Sequence, residues 1–173
     1  MLIQEDSLGG RLALLQPSEL DSDQETFHAR LIDKIMPWGE ESGFQAETSE
    51  GNVIGPFNPM LRSPNLSNAS LNLLQTEQEH TSLSKKVREV VILSVGAVWK
   101  SAYELYAHNA VAKKVGLSQQ SIDFLVTGQP SDTLSAEERV AHEVTHRLVT
   151  EHQVNRHSTA EHWPPSEKRA SWT

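Results

Sequence analysis

Residues 84–116 read SKKVREVVILSVGAVWKSAYELYAHNAVAKKVG, and this stretch decides the fold. Ser84 can cap a helix whose run Val90–Trp99 is interrupted by a serine and a glycine alone. A helix that is apolar on nearly every side is expected to be buried on every side. The following segment, Ser101–Val115, has helical spacing and ends at Gly116, where a left-handed cap belongs. The stretch predicts two consecutive helices at the centre of an all-α domain.

Before this stretch, capping residues and apolar spacing predict two further helices. The first begins at the capping box of residues 22–25 and should stop near Met36, because the residue before a proline avoids helical geometry. Residues 38–58 are expected to form a long loop. The second helix is expected to follow Pro64 and to run toward Glu79.

After the central stretch, two more helices are predicted. One spans Ser118–Val126 and is closed by Gly128, and the sixth begins at a capping box over residues 135–138. An apolar stripe along the sixth helix is expected to face the core: Val140, Val144 and Leu148. No convincing strand is found. The sequence therefore predicts an all-α fold of about six helices.

Composition excludes several classes of function. Lys and Arg number 15 against 23 Asp and Glu, which gives a formal charge of −8 and disfavours nucleic acid as a partner. Cysteine is absent from the chain, so disulfides, thiolate metal sites and cysteine redox chemistry are excluded. The longest apolar run is about half of the roughly 20 residues that a membrane helix needs. We expect no membrane partner and a cytoplasmic location.

The same patterns give the expected domain limits. Helical periodicity extends to about residue 155, so residues 1–155 are predicted to be one helical domain. Residues 156–173 are polar and contain two adjacent prolines, which indicates a disordered tail.

Glu89 is the strongest physical anomaly, because a carboxylate within the apolar central helix is costly unless it is paired. Ser101, Glu104 and His108 fall at i, i+3 and i+7 in the next helix, so they share one face and can pair with it. One interpretation is an acid–base site in which a glutamate tunes His108. The alternative is a structural hydrogen-bond network without chemistry.

A second pattern, HEVTH at residues 142–146, fits the H-E-x-x-H zinc protease motif, with His152 as a possible third ligand. Against this, Val149 stands where the longer motif has glycine, and no methionine follows. The apolar stripe of the sixth helix also predicts that His142 and His146 face solvent. A zinc hydrolase is therefore the third alternative, and we expect no bound metal.

Aromatic residues near the two central helices can form the wall of a substrate site. Trp99 and Tyr103 lie close to the predicted acid–base residues in sequence, and Phe57 lies in a stiff loop between two prolines. The alternative is that they are core aromatics.

The segment LSKKVREVVILSVGAVWKSAYELYAHNAVAKKVGLSQQSIDFLVTG and the upstream GNVIGPFNPMLRSPNL resemble the carboxymuconolactone decarboxylase family. The resemblance covers roughly residues 10 to 155 and implies the alkyl hydroperoxidase D-like helical fold. In the redox branch of that fold, the active site is a glutamate, a Cys-x-x-Cys and a histidine. These positions fall at Glu89, at Ser101 and Glu104, and at His108. The missing cysteines exclude the peroxidase activity of that branch.

The resemblance implies a carbon–carbon lyase that needs no cofactor and acts on a cyclic carboxylated small molecule, such as a carboxymuconolactone-like lactone or an aromatic-derived ring. We assign His108 as the acid, Glu89 as the group that holds it, Glu104 as an alternate proton carrier and Ser101 as a hydrogen-bond donor. Trp99, Tyr103 and Phe57 are the expected substrate contacts. The resemblance also implies a homotrimer or hexamer and a place in aromatic or polyketide metabolism. The alternative is a catalytically inactive oligomeric protein of the same fold that binds a small molecule.

Overall fold

The computed structural model describes residues 12–129 and 132–153 of the chain. Within these ranges the chain is helical, and its extended pairing is limited to an isolated bridge between Glu47 and Val53. The prediction of an all-α fold is confirmed. No helix in the described part is long and apolar enough to cross a membrane. The tail predicted at residues 156–173 lies outside the described residues.

In the part of the chain that the structure describes, eight α-helices follow a short 3₁₀ turn at Pro17–Glu19. In chain order they are α1 (Ser22–Lys34), α2 (Met36–Ser42), α3 (Phe57–Met60), α4 (Pro64–His80), α5 (Lys85–Trp99), α6 (Ala102–Lys114), α7 (Gln119–Val126) and α8 (Ala136–Glu151). They form two compact units that divide between residues 83 and 84, so α1–α4 belong to the first unit and α5–α8 to the second.

The first unit corrects two details of the sequence prediction. The capping box of α1 is made by Asp21 and Gln24, one residue earlier than predicted. A separate helix, α2, occupies part of the predicted loop. Pro37 lies in the first turn of α2, where a missing backbone N–H costs nothing because that N–H has no helical partner. The proline therefore starts a new helix where the sequence pattern predicted only an end.

The core of the first unit is built around residues of α1 and of the segment before α4. Its fully buried side chains include Phe27, Leu31, Val53, Ile54 and Leu61. Three leucines of α4 do not join this core, since Leu66, Leu73 and Leu74 are exposed in the chain.

The second unit is organised around α5, which packs against α6, α7 and α8. Four predicted end signals are confirmed: Ser84 caps α5, Ser118 caps α7, Ser135 and Glu138 form the capping box of α8, and Gly116 adopts a left-handed backbone with φ of 93°. A cluster of apolar side chains from α5, α6, α7 and the adjoining loops forms the core: Val90, Leu93, Ala112, Leu117, Ile122, Leu125 and Leu134.

The prediction that α5 is buried on every side is only partly right. Val90 and Leu93 are fully buried, but Val91, Ile92 and Val95 are half-buried within the chain. Trp99, the last residue of α5, is 69% exposed.

The face of α8 that packs inward is not the predicted one. Its buried residues are Glu138 and His142, and Ala141 packs against the core, while Leu148 of the expected apolar stripe is exposed. His142 was expected to face solvent and is only 5% exposed. The apolar stripe of the sixth predicted helix indicated the wrong face, because a histidine can be buried wherever a partner satisfies its ring nitrogens.

Candidate functional site

The backbone around residue 100 turns α5 directly into α6. Lys100 has a left-handed φ of 52°, its N–H donates to the carbonyl of Ala97, and the N–H of Ser101 donates to the carbonyl of Gly96. Close packing of the two helices needs a small residue at position 96, because a Cβ there would lie 3.1 Å from Cδ2 of Leu105. The tight turn and the close approach fix how side chains of α6 meet those of α5.

Glu89 of α5 and His108 of α6 are brought into direct contact. Nδ1 of His108 lies 2.8 Å from Oε2 of Glu89, which is the distance of a charge-assisted hydrogen bond. The Glu89 side chain is 5% exposed and that of His108 is 14% exposed. The buried carboxylate therefore has the partner that the sequence demanded, and Nδ1 of His108 is held as the donor.

Glu104 lies on the other side of the same imidazole ring. Its Oε1 is 3.4 Å from Nε2 of His108, and the Glu104 side chain is 41% exposed. The ring thus stands between a buried carboxylate and a solvent-accessible one. Because Glu89 engages Nδ1, Nε2 is the ring atom from which a proton can be exchanged with a bound molecule or with Glu104.

The remaining residues of the predicted site lie at the end of α5, at the start of α6 and in the first unit. Ser101 is the exposed N-cap of α6, and its side chain makes no capping hydrogen bond. Tyr103 is half-buried with its ring 6.0 Å from that of Tyr106, and burial raises the pKa of Tyr103, so it stays a protonated phenol. Trp99 ends α5 in an exposed position, and Phe57 is buried in the first unit at the start of α3.

A second polar contact to α5 was missed by sequence reasoning. Oγ of Ser94 lies 2.8 Å from Nδ1 of His142 on α8, and both residues are buried. The available signal was Ser94 itself, since a serine within a buried apolar run needs a hydrogen-bond partner.

The described residues around the H-E-x-x-H segment do not supply enough ligands for a zinc site. The rings of His142 and His146 lie 5.9 Å apart, and Glu143 is paired with Arg147 at 2.8 Å. Within residues 12–129 and 132–153 there is no group of three or more His, Asp or Glu side chains that can hold a metal ion. Structural and catalytic zinc sites both need at least three protein ligands.

Comparison with known protein families gives one match. Residues 64–146 match the carboxymuconolactone decarboxylase family, and they include the whole Glu89–His108–Glu104 trio. Over this segment the chain is similar to the carboxymuconolactone decarboxylase family. Comparisons with curated proteins and with solved structures found no match.

The similarity to the carboxymuconolactone decarboxylase family agrees with the helical architecture of the described residues. The segment that matches begins with α4 and ends within α8. The residues brought together by α5 and α6 therefore lie within the matched segment.

Proposed function

We propose that this chain is a cofactor-independent decarboxylase, or a related proton-transfer lyase, for a cyclic carboxylated small molecule. The observation that carries the proposal is the position of His108, with Nδ1 on buried Glu89 and Nε2 directed to the more exposed Glu104. One nitrogen is fixed by an anion and the other is placed for proton transfer, as a general acid requires. The match of residues 64–146 to the carboxymuconolactone decarboxylase family supports the reaction class.

The reaction begins when the bond between the ring carbon and the carboxylate breaks and carbon dioxide leaves. The electron pair of that bond passes into a conjugated lactone or ketone of the substrate, so no cofactor has to accept it. The proton on Nε2 of His108 then moves to the carbon that lost the carboxylate. The balance is one substrate carboxylate and one proton in, and one carbon–hydrogen bond and carbon dioxide out.

The protein has to restore that proton after each turnover. Nε2 of His108 lies 3.4 Å from Glu104, whose side chain is 41% exposed and in contact with water. Glu104 can therefore take a proton from solvent and return it to the ring. Glu89 keeps the ring in one orientation throughout, because its carboxylate is buried and bonded to Nδ1.

Substrate contacts are proposed for residues near this trio. Tyr103 offers a half-buried aromatic face and a phenol that remains protonated, and Trp99 offers a large exposed apolar surface. Ser101 lies one turn before Glu104 and can donate a hydrogen bond to a substrate oxygen. A partly apolar surround disfavours the substrate carboxylate and favours its loss as neutral carbon dioxide.

The proposal is tested by incubating the protein in D₂O with 4-carboxymuconolactone and with a panel of cyclic β-keto acids. We expect release of carbon dioxide and one deuterium at the carbon that lost the carboxylate, both detected by NMR. Saturable binding of a panel member without turnover would instead favour the inactive binding protein. Neither binding nor turnover across the panel would count against the assigned substrate class.

We also propose that the chain self-associates as a homotrimer or hexamer. Large apolar side chains are exposed in each unit, among them Trp99 and Leu148 in the second and Leu66 and Leu73 in the first. Burial of such surface stabilises an assembly. Size-exclusion chromatography with light scattering should give a multiple of 19.3 kDa, and a clean monomer would contradict the proposal.

A further inference from the structure

Helix α8 buries two polar side chains, and its apolar side chains are at most half-buried. The buried residues of α8 are Glu138 and His142, whereas Val140, Ala141 and Val144 are half-buried and Leu148 is exposed. Hydrophobic stabilisation scales with the apolar area removed from water, so these side chains contribute part of what full burial would give. A change of charge at His142 therefore acts on a helix whose most deeply buried side chains are polar.

The hydrogen bonds around His142 define its protonation state. Oγ of Ser94 lies 2.6 Å from the carbonyl oxygen of Val90, which can only accept, so the serine hydroxyl donates its proton there. The contact between Ser94 Oγ and His142 Nδ1 at 2.8 Å is then possible only if Nδ1 carries the proton and donates to the serine oxygen. Nδ1 of His142 therefore carries a proton, and in the neutral ring the lone pair lies on Nε2.

We propose that His142 is an acid-sensitive latch for α8: protonation of its ring at Nε2 releases α8 from α5. The added proton brings a positive charge and a new N–H into a position that is 5% exposed, next to a serine whose own proton is already committed. A buried charge without an ion-pair partner is costly, so the docked position of α8 becomes less favourable when the ring is charged. The inference does not rest on the proposed function.

Among the described residues, the hydrogen-bond partner of His142 is the neutral Ser94 hydroxyl on α5, and no ion pair joins the ring to a carboxylate. On α8, Oε2 of Glu138 accepts from the backbone N–H of Ser135 at 2.8 Å, and Glu143 is paired with Arg147. The ring of His146 lies 5.9 Å away and adds a like charge when protonated.

The direction of the pH effect follows from the same surroundings. Burial, and secondarily His146, lower the pKa of His142 below 6.5, and Glu143 opposes this in part. The docked state thus binds the proton less tightly than the released state does. The contribution of His142 to docking is fully present above about pH 6.5 and is lost as the pH falls below that value.

Hydrogen exchange measured by mass spectrometry tests the latch in the full chain. We expect the protection of the α8 amides, corrected for the intrinsic effect of pH on exchange, to fall about tenfold between pH 7.5 and pH 5.5. The amides of α7 should keep their protection over the same range. Unchanged α8 protection in the wild-type protein would overturn the proposal.

The matched variant is His142→Gln, whose side-chain N–H₂ can still donate to Ser94 but cannot be protonated. In this variant α8 should keep its protection at pH 5.5. His80→Gln, at an exposed position on α4, is the control and should retain the wild-type pH response. A response that persists in His142→Gln would show that another group is responsible and would reject the latch.

A measurement on the wild-type protein keeps the proposal testable if the glutamine variant does not fold. Long-range ¹H–¹⁵N NMR spectra distinguish the two neutral tautomers of each histidine. At pH 7.5 the His142 ring should carry its proton on Nδ1, and its titration midpoint should lie below 6.5. A proton on Nε2, or a midpoint above that of an exposed histidine, would contradict the inference.

Discussion

His108 and His142 both hydrogen-bond a side chain of α5 through Nδ1 at 2.8 Å, but their partners differ. Glu89 places a negative charge beside His108. This charge remains next to the ring when Nε2 gains or loses a proton. Ser94 offers His142 a neutral hydroxyl whose proton is already donated to Val90. The same ring and the same distance thus give the proposed proton-transfer group in one place and a structural contact in the other. The charge of the hydrogen-bond partner therefore determines the role proposed for each histidine.

The largest expected effect separates the two histidines by turnover. His108→Ala removes the proposed acid, so turnover on a responsive substrate should fall by about 10² to 10⁴-fold, as is typical for positioned proton transfer. His142→Gln should leave turnover at pH 7.5 close to wild type. Both rates are read by NMR detection of product, with circular dichroism to check that the helices remain. Equal losses in the two variants would remove the functional distinction between the two rings.

Glu89→Gln tests whether the charge on the partner matters. Glutamine keeps the size of the side chain and an acceptor for Nδ1, but the charge-assisted hydrogen bond becomes a neutral one, which is about half as strong. We expect kcat to fall about tenfold with KM nearly unchanged, since the charge acts when the proton moves. A rise in KM alone would instead place Glu89 in substrate binding.

Ser94→Ala tests the neutral pair by stability. The variant leaves the Nδ1 proton of His142 without its acceptor, which should lower the free energy of unfolding by about 1 to 3 kcal/mol in a urea titration. Ser70→Ala is the control, because Ser70 makes the same kind of bond to the carbonyl of Leu66 but is exposed and has no imidazole partner. If the two variants lose equal stability, the contact with His142 contributes nothing.

The smallest expected effect concerns Glu104. Its contact with His108 is 3.4 Å long and its side chain is 41% exposed, so Glu104→Gln should change the free energy of unfolding by less than about 0.5 kcal/mol. Glu143→Gln breaks another pair at i,i+4 spacing, with Arg147, and serves as the matched control. A loss of stability in Glu104→Gln as large as that in Ser94→Ala would make Glu104 a structural residue.

The contact between α5 and α6 could be predicted because both partners lie in one continuous stretch. A buried glutamate needs a partner, and helical spacing places Glu104 and His108 together on the following helix. Capping residues likewise marked where α5, α7 and α8 begin. These are local rules, and each acts within a few turns of helix.

The contact between α5 and α8 could not be predicted in the same way. Apolar spacing chose the face with Leu148, but the structure buries His142, whose polar nitrogen is satisfied by Ser94 on a helix far away in sequence. The prediction for α2 was limited in a similar way. Local rules predicted that a helix ends before Pro37, but in the structure Pro37 also lies in the first turn of the next helix. Sequence patterns do not identify the distant hydrogen-bond partner that allows a polar group to be buried.

The short turn at Lys100 has a consequence for the order of folding. Glu89 and His108 are separated by 19 residues within one helical hairpin, whereas Ser94 and His142 are separated by 48. Closing the shorter loop loses less chain entropy, and contacts that are local in sequence form sooner. During synthesis, the ion pair is therefore expected to assemble while residues of α8 have yet to leave the ribosome. The contact between α5 and α6 therefore forms first, and α8 packs against α5 afterwards.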